Sequence, residues 1–157
     1  MDDRNIKQVK EFLEARGIKP TILAFEETTR TSELAARAIG CDVAQIAKSL
    51  VFIADEKDAV LVIASGKSRV DTRKLARMLG ASEVKIADAK TVKEVTGFPV
   101  GGVPPVAHSK PLRTFIDASL MSFPVVYAAA GTPNAIIGIS PEDLKNVTSA
   151  EVADVFE

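Results

Sequence analysis

The strongest constraint on the fold is a pair of apolar runs set around a short polar stretch. Ser49-Leu50-Val51-Phe52-Ile53 and Ala59-Val60-Leu61-Val62-Ile63 each have the length of a strand, and Asp55-Glu56-Lys57-Asp58 lies between them. Two such runs around a polar turn predict a β-hairpin. Apolar residues on both faces place that hairpin inside a sheet rather than at its edge.

Shorter elements surround it. Ile6, Val9 and Leu13 form one helical stripe, with Gly17 as a stop, and Thr21 to Phe25 follows as a short strand. A helix over Ser32 to Ile39 ends at Gly40, and a third helix starts at Asp42, where Gln45 completes a capping-box pattern. Asp71 caps a helix from Thr72 to Leu79, stopped by Gly80, and another runs from Ala89 to Thr96, stopped by Gly97. Glu83–Ala87, Thr114–Asp117, Val125–Ala128 and Ala135–Ile139 read as strands, and Phe98 to Pro111 as a Gly/Pro loop. Ser140 with Pro141 starts a helix, and Thr148-Ser149-Ala150-Glu151 is a capping box for a terminal one. The expectation is an α/β fold: one domain over residues 1–157, built on a mixed, mostly antiparallel sheet of about six or seven strands flanked by about six short helices.

At 157 residues the chain buries enough surface to fold without staples. Hydrophobic residues at 46% and charged residues at 26% exclude a disordered or fibrous chain. No apolar run approaches a membrane span, the start Met1-Asp2-Asp3-Arg4-Asn5 is no signal peptide, and Cys41 is the single cysteine, so the expected setting is cytoplasmic. A net charge of −1 argues against a broad DNA-binding face. Positive charge nonetheless gathers in Lys67, Arg69, Arg73, Lys74 and Arg77, and negative charge between Glu142 and Glu157.

Most catalytic motifs are absent. One histidine and one cysteine build no zinc site of the usual kind, and no phosphate-binding glycine motif or nucleophile elbow occurs; neither metal nor cofactor is expected. Lys48 sits where a short helix gives way to the first apolar run. A lysine there either aims its ammonium into a cleft or snorkels to solvent, and spacing alone favours solvent. Gly101-Gly102-Val103-Pro104-Pro105 either presents N–H groups to an oxyanion or is an ordinary surface loop. Gly131-Thr132-Pro133-Asn134 is either a pocket wall or a hairpin turn. His108 is a base or a solvated loop side chain, and Arg73 and Arg77, one helical turn apart, are a phosphate clamp or a solvated face. Cys41 reads as a small packed residue, and Met121 and Phe123 as exposed apolar side chains.

Four stretches occur in a telling order: Thr31-Ser32-Glu33-Leu34-Ala35-Ala36, Ile46-Ala47-Lys48-Ser49-Leu50-Val51-Phe52, Gly101-Gly102-Val103-Pro104-Pro105 and Ala130-Gly131-Thr132-Pro133-Asn134. From about Val9 to Leu144 the chain resembles the YbaK aminoacyl-tRNA editing family, related to the insertion domain of bacterial prolyl-tRNA synthetase. The resemblance implies a YbaK-like fold and a trans-acting deacylase that hydrolyses the ester of tRNA mischarged with a small amino acid. The family's functional lysine falls on Lys48 and its substrate loop on Gly101 and Gly102. Thr31, Val103, Pro104, Pro105, His108, Gly131, Thr132, Pro133 and Asn134 become substrate-binding candidates. Members often carry histidine near Asn134; this chain lacks that side-chain base. Lys67, Arg69, Arg73, Lys74 and Arg77 become candidates for acceptor-stem phosphates. The implied partners are aminoacyl-tRNA and the synthetase that makes the error, with no membrane and no DNA. Two other readings stay open: a binding module for an aminoacylated adenosine or nucleotide end without catalysis, and an interaction domain that docks through the acidic stretch Glu142 to Glu157.

Overall fold

A computed structural model describes residues 3–157. The central hairpin forms as its sequence predicts. Strands β2 (Ala47–Ala54) and β3 (Asp58–Ser65) pair antiparallel in the register Lys48↔Ala64, Phe52↔Val60. Asp55 and Glu56 take positive φ at the tip, as a tight hairpin turn requires. Asp55 Oδ1 accepts from the backbone N–H groups of Ser82 and Glu83, and so holds the start of β4 (Val84–Ile86) beside β2.

Local caps set the helices. Thr31 accepts from Leu34 N to open α2 (Ser32–Ile39), Asp71 from Arg73 N and Lys74 N to open α3 (Thr72–Leu79), and Asp88 from Thr91 N to open α4 (Ala89–Thr96). Gly40, Gly80 and Gly97 close them in the left-handed conformation. The other elements are α1 (Asp3–Glu14), β1 (Thr21–Ala24), β5 (Arg113–Ile116), β6 (Val126–Ala129), β7 (Ala135–Ile139), α5 (Pro141–Thr148) and β8 (Glu151–Val152).

The strands divide into two sheets rather than one. The larger has the order β4-β2-β3-β5-β8, with β3-β5 and β5-β8 parallel and the rest antiparallel; the smaller is β1-β7-β6, all antiparallel. The main core lies where they face each other: Val51, Leu61 and Ile63 meet Val126, Ala128 and Ile137, and α1 seals the end with Val9 and Leu13. The opposite face of the large sheet packs Phe52, Val62 and Phe115 against Leu75 of α3 and Val155. Leu61, Val62 and Ile63 are fully buried, so both faces of β3 are covered.

Three expectations are corrected. The segment after Asp42 is a single 3-10 turn, Val43–Gln45, and Gln45 donates its side-chain amide to Val125 O instead of closing a capping box. There is no terminal helix at Thr148: Ser149 turns left-handed to end α5, and Glu151 and Val152 add to the sheet beside β5. Met121 and Phe123 are half-buried against the main core; the exposed large apolar side chains among the described residues are Met78, Ile86, Val100 and Val152.

Candidate active site

The site follows from the way β2 is paired. On the side away from β3, β2 pairs with β4 only over Phe52–Ala54. Ala87 N donates to Val51 O at 2.9 Å and ends the pairing there, while among the described residues the other sheet pairs with this side only at the bridge between Ile46 and Tyr127. The first half of β2 therefore runs as an open edge between the two sheets. A cleft of about 510 Å³ lies along it, lined by Thr29–Ser32, Ile46–Val51, Ile86, Ala87, Val100, Gly101, Val103 and Tyr127–Ala129, among others.

Lys48 stands in this cleft, within β2 rather than before it. It is half-buried and makes no hydrogen bond or ion pair with the described chain. Burial pushes its ammonium below the ordinary lysine range; Glu33 and Asp117 favour the charged form, and Arg69 opposes it. Asp117 is itself fixed. Burial raises its pKa, but hydrogen bonds from Ser68, Ser119 and the Ser65 backbone outweigh that and hold the carboxylate ionised. Ser49, next along the strand, points the other way, toward the face of Ala47 and Val51. Its hydroxyl is buried without a hydrogen-bond partner.

The glycine loop closes one side. Gly101 has φ +88°, and a Cβ there would stand 2.9 Å from Arg30 Cβ, so only glycine lets the loop lie against the segment before α2. Gly102 N donates to Pro99 O at 3.0 Å, which commits that N–H to the loop itself. The Gly101 N–H has no such partner among the described residues and borders the cleft.

The sequence candidates separate into three groups. Lys48, Gly101, Val103 and Thr31 line the cleft, Thr31 with its hydroxyl already spent on the α2 cap. Gly102, Pro104, Pro105, His108 and Gly131–Asn134 lie outside it. Gly102 is buried against the Thr132 backbone. Pro104 and Pro105 are buried, and His108 Nε2 donates to Pro104 O at 2.7 Å, which fixes its tautomer; burial lowers its pKa, and that hydrogen bond raises it by less. Asn134 donates to Phe25 O, and Pro133 O accepts from Thr29 N, so the turn anchors the segment that carries Thr29–Ser32 into the cleft. This turn lines a separate, shallower groove of about 480 Å³ with Asn5, Glu26 and Lys93. In the basic group, Lys67 pairs with Asp42 at 3.2 Å, and Lys74 donates to Phe156 O at 2.7 Å while pairing with Asp154. Arg69, Arg73 and Arg77 are exposed and make no ion pair with the described chain. The acidic stretch is partly consumed: Glu151 pairs with Arg113, and Asp154 with Lys74.

No motif marks Asn5, whose side chain donates to Gly131 O at 2.9 Å and ties α1 to that turn. None marks Tyr127 either, whose ring lies over Gly138; a Cβ there would come 3.2 Å from Tyr127 Cε1. Among the described residues no group of three or more His, Cys, Asp or Glu side chains is placed to hold a metal ion. No helix among the described residues is long and apolar enough to cross a membrane.

The cleft thus combines an open strand edge, a half-buried lysine and a backbone-lined loop. The family model of the aminoacyl-tRNA editing domain matches residues 26–147, and the chain belongs to that family. A crystal structure described provisionally as a trans-editing enzyme for prolyl-tRNA synthetase superposes with TM-score 0.90 at 41% identity, covering 98% of this chain and 97% of that one. An Enterococcus faecalis protein, named provisionally as the Cys-tRNA(Pro)/Cys-tRNA(Cys) deacylase EbsC, is 24% identical over 132 residues, 84% of this chain and 80% of its own. A proline–tRNA ligase of Desulforamulus reducens is 31% identical over 137 residues, which are 83% of this chain but 22% of the ligase. By family, the chain is an aminoacyl-tRNA deacylase.

Proposed function

We propose that the whole chain acts in trans, in the cytoplasm, as one editing unit that hydrolyses the ester of tRNA mischarged with a small amino acid. One observation carries this reading: the unpaired, half-buried Lys48 lines a cleft to which Ala47, Ala87, Ala128, Ala129 and the Gly101 backbone also contribute. Small side chains and backbone leave room for a small aminoacyl group and reject a bulky one by clash. That discriminates better than affinity, since one methylene is worth only ~1–3 kcal/mol in a pocket.

The roles divide as follows. Lys48 places a positive charge at the ester carbonyl, and the Gly101 N–H donates to the oxyanion that forms. One such donor contributes on the order of 10²–10³ in rate. Gly102, Pro104, Pro105, His108 and the 131–134 turn hold the loops in place. No carboxylate, histidine or cysteine lines the cleft, so water is oriented by backbone groups and by the substrate's own ribose hydroxyl. Exposed Arg69, Arg73 and Arg77 meet the acceptor stem, and a synthetase that makes the error is the natural partner.

The missing side-chain base also favours a second reading, a module that binds the aminoacylated end without turnover. Multiple-turnover release from alanyl-, cysteinyl-, seryl- and threonyl-tRNA decides between them. Release of more than one equivalent from at least one of these supports the deacylase. No release from any, with protein and tRNAs intact, supports the binding module.

A further inference from the structure

Each residue of the turn at 131–134 holds a different neighbour. Gly131 lies against Asn5 of α1: a Cβ built on it would stand 3.0 Å from both Asn5 Cβ and the Asn5 carbonyl oxygen, and Asn5 Nδ2 donates to Gly131 O at 2.9 Å. Thr132 lies against Gly102 with the same closeness. Pro133 O accepts from Thr29 N at 2.6 Å and from the Thr28 hydroxyl at 3.2 Å, and Asn134 Nδ2 donates to Phe25 O at 2.8 Å. Arg30 closes the ring of contacts. Its backbone N–H donates to Thr28 Oγ1, and its Cβ lies 2.9 Å from where a Gly101 Cβ would stand. Gly101 is thus set between the turn, through Gly102, and the segment at Arg30. Backbones packed this closely pass a displacement on to the next segment. Asn5 is the point where the ring is tied to α1, which Val9 and Leu13 anchor in the main core. The matched family region, residues 26–147, starts after α1, so this tie comes from outside it.

We propose that Asn5 is a positioning residue for hydrolysis: through Gly131, Thr132 and Gly102 it sets the aim of the Gly101 N–H in the cleft. This rests on the oxyanion role given to Gly101 above. Asn5 does not line the Lys48 cleft, so its effect falls on the chemical step and not on binding. An oxyanion donor contributes on the order of 10²–10³ in rate when aimed at the developing charge, and a displaced donor forfeits part of that.

The test compares Asn5→Asp with the wild type in multiple-turnover hydrolysis of the mischarged tRNA that the wild type releases fastest. The substitution keeps the size of the side chain, and a carboxylate in the first turn of α1 favours the helix. It offers an acceptor where Gly131 O needs a donor. The kcat should fall about tenfold while KM stays within about twofold. The Gly101 and Gly102 amide resonances should shift in NMR spectra, with those of α3 unmoved. Val9→Ala, which loosens the core packing of the same helix and leaves the Asn5 hydrogen bond in place, should keep kcat within about twofold well below its melting temperature. Wild-type kcat in Asn5→Asp overturns the proposal. So does a raised KM with unchanged kcat, which assigns Asn5 to binding in the shallower groove that it lines. An equal loss of kcat in Val9→Ala overturns it as well, by tracing the effect to a loosened helix. All three leave the deacylase reading intact. A wild type that releases no amino acid from any mischarged tRNA overturns that reading, and the positioning role with it.

Discussion

Gly102 lies backbone-to-backbone against Thr132: a Cβ built on Gly102 would stand 2.8 Å from both Thr132 Cα and its carbonyl carbon. The contact stacks the glycine loop on the β6–β7 turn, and the turn in turn grips Phe25 and Thr29 through Asn134 and Pro133. Two glycine-bearing segments far apart in sequence therefore work as one support for the cleft. Gly102→Ala must push the loops apart at the cost of about 1–3 kcal/mol. Deacylation should fall at least about tenfold, with a lower Tm, read by turnover and thermal melting on the same samples. Unchanged activity would separate the loop contact from the site.

His108 makes stability depend on pH in a direction that its burial fixes. Its pKa in the fold lies below the ordinary value near 6.5, chiefly through burial. Below that value the unfolded chain takes up the proton first. The contribution of neutral His108 is thus fully present above about pH 6.5 and drains away as the pH falls through the lowered folded value. Chemical denaturation at pH 7.5 and 5.5 should show a larger loss for the wild type than for His108→Gln, which keeps a donor for Pro104 O and does not titrate. Equal losses would contradict the buried, neutral state.

Ser49 gives a stability prediction of opposite sign to the usual one. Its hydroxyl is buried with no partner, and an unmade hydrogen bond costs about 1–3 kcal/mol. Ser49→Ala should melt at the same temperature as the wild type or higher. A lower Tm would show that the hydroxyl is satisfied in the fold.

Arg73 and Arg77 lie on the exposed face of α3 and have no ion pair to lose. If they meet acceptor-stem phosphates, Arg73→Ala with Arg77→Ala should raise KM for whole tRNA at low salt and flatten its salt dependence by about one to two phosphate contacts. Hydrolysis of an alanyl-adenosine ester should not change. An equal effect on both substrates would place the arginines in the fold and not on the tRNA.

The capped helices were legible because their signals are local. Thr31 with Gly40, Asp71 with Gly80 and Asp88 with Gly97 each fix both ends of a helix within a few residues. The hairpin was legible for the same reason. The division into two sheets was not, because it depends on β7 pairing with β1 across more than a hundred residues, and on β4 stopping at Phe52. The terminal helix failed where Ser149 turned left-handed and β8 found the edge of β5, a long-range pairing that overrode a capping pattern. In the site, the family resemblance picked out Lys48 and the glycine loop. It did not separate Gly101, which borders the cleft, from Gly102, which is spent on packing, because that difference lies in a contact with Thr132.

The central claim is that the charge of Lys48 drives hydrolysis. Lys48→Met keeps the packed stem and removes the ammonium. Since burial disfavours the charged form in the fold, the variant should be at least as stable as the wild type at neutral pH. Multiple-turnover release from the mischarged tRNA that the wild type hydrolyses best should fall at least about tenfold, about 1.4 kcal/mol of transition-state stabilisation. A folded Lys48→Met protein that retains wild-type turnover would contradict the account.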